Sequence, residues 1–63
     1  MNERPTAHDL LQPLGVIQLT TGNIRKRIGP VLDAADADYL AAKLQRIEQQ
    51  VARLAEMVTG AAQ

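Results

Sequence analysis

His8 is the one histidine in 63 residues; Asp9 stands beside it, and Gln12 and Pro13 follow a turn later. An imidazole changes charge near neutral pH, and in its neutral form the unprotonated ring nitrogen is a nucleophile. Metal ligation is disfavoured, because the chain has no Cys, no second His and no acid three or four places from His8. Pro13 breaks a local rule: inside a helix it removes one backbone hydrogen bond and crowds the carbonyl of Asp9, at a cost of about 3 kcal/mol. Such violations collect at functional sites. A lone surface histidine by itself signals nothing; the neighbouring acid, the costly proline and an apolar Leu19 on the same stripe shift the balance toward function without deciding it.

The elements that must position these residues follow from hydrophobic spacing. From Ala7 the seam residues step by three and four through Leu10, Leu14, Ile17, Thr21, Ile24, Ile28 and Val31, with Thr21 as the polar entry. Gly15 and Gly22 each weaken this helix by up to ~1 kcal/mol relative to Ala. Thr6 and Asp9 have the spacing of a capping box at its start, and residues 1–5 are expected to fray. Gly29-Pro30 interrupts the pattern, and 33–38, rich in Asp and Ala, reads as a turn into a new N-terminus. The pattern returns as Leu40, Leu44, Ile47, Val51, Leu54, Val58 and Ala61, with Gly60 where a helix commonly ends. Lys43, Gln45, Arg46, Glu48, Gln49, Gln50, Arg53 and Glu56 mostly avoid this seam and are expected to be solvated. The expected fold is all-α: an antiparallel hairpin with one helix over about 6–28 and another over about 37–59. One hairpin leaves its stripe half covered, so two should pair as a four-helix bundle.

Successive helical residues turn by ~100°, which places Gln12, Gly15 and Leu19 within about 40° of His8, and the seam centre roughly 140° away. His8 is therefore expected to face water. Pro13 has two readings: a bend just beyond His8, or a regular helix that begins only near Gln12 with Pro13 in its first turn.

Composition bounds the possibilities. A chain this short is a single domain that buries only a modest core. Its apolar surface is Leu, Ile, Val and Ala, with no Phe or Trp and one Tyr, which suits helix seams completed by oligomerisation. Seven basic residues balance seven acidic ones, leaving no electrostatic case for nucleic acid or an anionic membrane. Arg25, Lys26 and Arg27 read as solvated cations near a helix C-terminus. No apolar run approaches the ~20 residues of a membrane span, and nothing near Met1 resembles a signal peptide, so a soluble, cytoplasmic segment is expected.

His8-Asp9-Leu10-Leu11-Gln12-Pro13-Leu14, followed by Val16 and Ile17, resembles the phosphoacceptor box of sensor histidine kinases, whose usual form is His-Glu/Asp-Leu-x-x-Pro-Leu-x-x-Ile. Tyr39-Leu40, Lys43-Leu44, Arg46-Ile47 and the stretch from Gln49 to Arg53 look like the return helix of the same dimerisation and histidine-phosphotransfer module (DHp, HisKA-type). The two pieces cover nearly the whole chain, so residues 1–63 are expected to be one such module, cut from a longer kinase or standing alone. The resemblance implies that His8 takes the γ-phosphate of ATP on Nε2 and passes it to an aspartate of a response regulator. It implies that Asp9 accepts the Nδ1 proton as base and orienter, and that Leu11, Gly15 and Leu19 dock the partner. Gln12 stands where many members carry Thr or Asn, thought to orient water for dephosphorylating that partner. ATP and Mg would be held by a catalytic domain that this chain lacks, so the expected partners are a second copy, that domain and a receiver. The competing expectation is a non-catalytic dimerisation hairpin with His8 incidental.

Overall fold

The computed structural model describes residues 6–61; the expectation for residues 1–5, like the side chain of Ala61, lies outside what it describes. Thr6 opens the first helix. Its Oγ1 accepts from the Asp9 amide at 3.1 Å, and the Asp9 carboxylate accepts from the Thr6 amide at 3.2 Å, the reciprocal pair of a capping box. Helix α1 spans Ala7–Ile28 with Pro13 in its interior. That removes the reading in which the helix starts near Gln12.

Arg25, Lys26 and Arg27 occupy the last turn of α1, where cations offset the partial negative charge of the helix end. The chain then tightens into a 3-10 turn over Gly29–Val31, with Pro30 in its opening positions, where its missing N–H costs little. Gly29 is right-handed (φ −49°, ψ −48°), and its amide donates to the Arg25 carbonyl. The reversal is thus made without any positive φ.

Helix α2 spans Ala34–Ala61, starting earlier than the expected 37. The reason is local: Asp33 Oδ1 accepts from the Asp36 amide at 2.8 Å, and the Asp33 carbonyl accepts from Ala37. Asp33 therefore acts as the N-cap, and the Ala-Asp repeat that reads as a turn is the first turns of the helix. At the other end α2 passes through Gly60 instead of stopping there.

The two helices lie side by side in a rod of 52 × 17 × 14 Å. Leu44 and Val51, each 4% exposed, form the core between them, with Thr21 buried to the same degree. Within one hairpin the heptad seam divides. Ala7, Leu14 and Thr21 are covered to differing degrees, whereas Leu10, Ile17 and Ile24, offset by three, stay exposed. On α2, Leu44, Val51 and Val58 are covered while Ile47 and Leu54 are not. Leu14, Ile17, Ile47, Val51 and Leu54 form the apolar floor of an open groove, rimmed by Lys43 and Arg46.

One contact across the hairpin differs from expectation. Glu48 and Arg25 are not simply solvated: Arg25 Nη1 and Nη2 donate to Glu48 Oε2 and Oε1 at 2.8 and 3.0 Å, a bidentate ion pair between α1 and α2. Thr21 Oγ1 lies 2.9 Å from Glu48 Oε2 and 2.9 Å from the Gln18 carbonyl. Its single proton favours the carboxylate, the stronger acceptor. The polar entry in the seam is thereby satisfied from the other helix, which ties the register of α1 to α2.

Arg25 first, and then Thr21, hold the Glu48 carboxyl below its ordinary value of 4.5, and Glu48 in turn raises the Arg25 guanidinium. A depressed carboxylate contributes stability that is complete above its unfolded pKa and is lost as pH falls through the folded one. Melting temperature should therefore drop on acidification below about pH 4.5, and Glu48→Gln should flatten that part of the profile. Parallel profiles for the two proteins would contradict the ion pair.

Candidate functional site

The site lies in the first turns of α1, just inside the capping box. His8 is exposed, as are Gln12, Gly15 and Leu19 along the same stripe. Four-residue spacing brings His8 and Gln12 face to face, and Gln12 Nε2 lies 3.1 Å from His8 Nε2. Which partner donates in this hydrogen bond follows from the ring's tautomer. The i, i+4 spacing was the signal in the sequence for this contact.

Asp9 makes the capping-box contact that its spacing from Thr6 predicts. Its carboxylate is engaged with the Thr6 amide, on the capping side of the helix, and adjacent helical residues do not face each other. In this state Asp9 closes the helix end, and the side chain that meets the His8 ring is Gln12.

Pro13 leaves the Asp9 carbonyl without its intrahelical donor, immediately beyond His8. Leu19 is 67% exposed, a large apolar side chain with no role in the hairpin's own core. A Cβ built on Gly15 meets nothing within 4 Å, so internal packing does not demand glycine there. Gly15→Ala should then stabilise α1 by up to ~1 kcal/mol; a lowered melting temperature would mean that the position is crowded. Leu11 is half-buried and offers a visitor less surface than Leu19 does. Among the described residues, no helix is long and apolar enough to cross a membrane.

Fifty-three residues, 84% of the chain, are 42% identical to a stretch of the two-component sensor PprA of Pseudomonas aeruginosa. The chain is similar to part of a two-component sensor. That part is small, since the match covers 6% of the relative's length. No protein-family model matches the chain, and no solved structure gives a significant match.

Proposed function

We propose that the chain is the dimerisation and phosphoacceptor module of a sensor histidine kinase, working in the cytoplasm in two-component signal transduction. The observation that carries this reading is the sole imidazole, exposed beside Asp9 and bonded at Nε2 to Gln12. The similarity to a segment of a two-component sensor supports it. Two hairpins pair through the groove floored by Leu14, Ile17, Ile47, Val51 and Leu54. Exposed apolar stripes of this kind mark contact surfaces, and pairing completes the core as a four-helix bundle.

The chemistry is phosphoryl transfer. A separate catalytic domain holds ATP with Mg and presents the γ-phosphate. The lone pair of His8 Nε2 forms the N–P bond as the bond from phosphorus to the bridging oxygen breaks, and ADP leaves with that electron pair. The charge arriving on the ring is balanced at Nδ1, where Asp9 takes the proton once it leaves the cap. An aspartate oxygen of a receiver domain then attacks the phosphorus, and the N–P electrons return to Nε2. Catalysis here is largely positioning and charge stabilisation. The bend at Pro13 helps the bundle accommodate each visitor.

Leu19 and Gly15, with a smaller share from Leu11, form the receiver's footing, and Gln12 orients water for removal of the receiver's phosphate. Leu19→Ala should change stability by no more than ~0.5 kcal/mol, as for other exposed positions, and weaken receiver binding. A melting point several degrees lower would instead place Leu19 in a core. The reading as a whole is tested by incubating the protein with a histidine-kinase catalytic domain and Mg-ATP, then adding a receiver domain. Acid-labile phosphate should appear on the chain and then move to the receiver. Persistent absence with a cognate catalytic domain would favour a non-catalytic dimerisation hairpin.

A further inference from the structure

We infer that Gln12 is a positioning residue for His8, its side-chain amide holding the imidazole in the tautomer whose Nε2 carries the free lone pair. Three observations converge. Gln12 Nε2 stands 3.1 Å from His8 Nε2. The neighbouring carboxylate, that of Asp9, is committed to the Thr6 amide. Both side chains of the pair rise from consecutive turns of one helix in the open, so the contact owes nothing to a neighbouring element.

A neutral imidazole has one N–H and one lone pair, and whichever nitrogen accepts a hydrogen bond must be the unprotonated one. Donation from Gln12 therefore places the proton on Nδ1 and the lone pair on Nε2. This resting bond has a second effect: it occupies the lone pair, so the amide must swing aside before Nε2 can attack anything. The rotation is local, about the side-chain torsions of Gln12, and needs no change in the helix. Gln12 then both prepares the nucleophile and covers it until a partner displaces the amide. The use of this arrangement in phosphoryl transfer rests on the function proposed above; the tautomer itself does not.

The test exploits His8 being the only histidine. With 15N-labelled protein, long-range 1H–15N correlations from the two ring protons report which nitrogen is unprotonated, at the alkaline limit of the ring's titration. Wild type should carry the unprotonated nitrogen at Nε2. Gln12→Glu, whose carboxylate only accepts, should move the unprotonated nitrogen to Nδ1, with unchanged helicity by circular dichroism. An Nε2–H ring in wild type, or the same tautomer in both proteins, would overturn the inference; should the variant fail to fold, wild type alone decides. Because the spectrum needs neither ATP nor a partner, failed phosphoryl transfer alongside the expected tautomer would sink the functional reading and leave the role of Gln12 standing.

Discussion

Ile17→Asp should reduce a paired protein to single chains near 6.9 kDa in sedimentation equilibrium. Ile17 stays 40% exposed in one hairpin and lines the groove proposed as the pairing surface. Pairing can bury only the part of Ile17 still exposed, so within a dimer the substitution forfeits roughly 1 kcal/mol of apolar burial per copy, and it places an unpaired carboxylate where water is excluded, at a cost of several kcal/mol. A two-fold interface repeats each change twice. The sum, on the order of 6 kcal/mol or more, raises the dissociation constant by about four decades. A variant that sediments like wild type would mean that this face is not the pairing surface.

His8→Asn should abolish acid-labile phosphorylation while leaving the hairpin intact. The side chain is exposed and takes no part in the Leu44–Val51 core, so the expected stability change is within ~0.5 kcal/mol. Asn keeps a polar group near the position of Nδ1 but supplies no nucleophilic nitrogen. Loss should therefore be complete rather than partial, in contrast to Asp9→Asn, which removes an orienting group and leaves the nucleophile. Phosphate retained in His8→Asn, with the fold unchanged by circular dichroism, would move the acceptor elsewhere.

Both helices and their seams were legible in the sequence because heptad spacing is a long signal that single residues cannot erase. The capping box at Thr6 and Asp9 was legible for the same reason that it forms: two side chains at a fixed separation satisfy two amides. The start of α2 was not. Asp33, Asp36 and Asp38 are all competent caps, and only the three-dimensional bond from Asp33 to the Asp36 amide decides among them. Gly60 misled because glycine ends helices only when the chain needs a left-handed residue there, and no described residue adopts positive φ.

The Arg25–Glu48 pair lay out of reach for a different reason. Its partners are 23 positions apart, and their meeting depends on the relative register of two helices, which the heptads alone leave open by whole turns. At the site, exposure of His8 followed from rotation about α1, and four-residue spacing placed Gln12 on the same stripe, while the hydrogen bond between them came only with the structure.

The proposed function puts phosphate on Nε2 of His8. Proton–phosphorus correlation spectra of the phosphorylated chain test it directly, because phosphorus on Nε2 couples through three bonds to both ring protons, whereas phosphorus on Nδ1 reaches only the proton between the nitrogens. Correlations to both ring protons are expected. A single correlation, or none to the imidazole at all, would contradict the account.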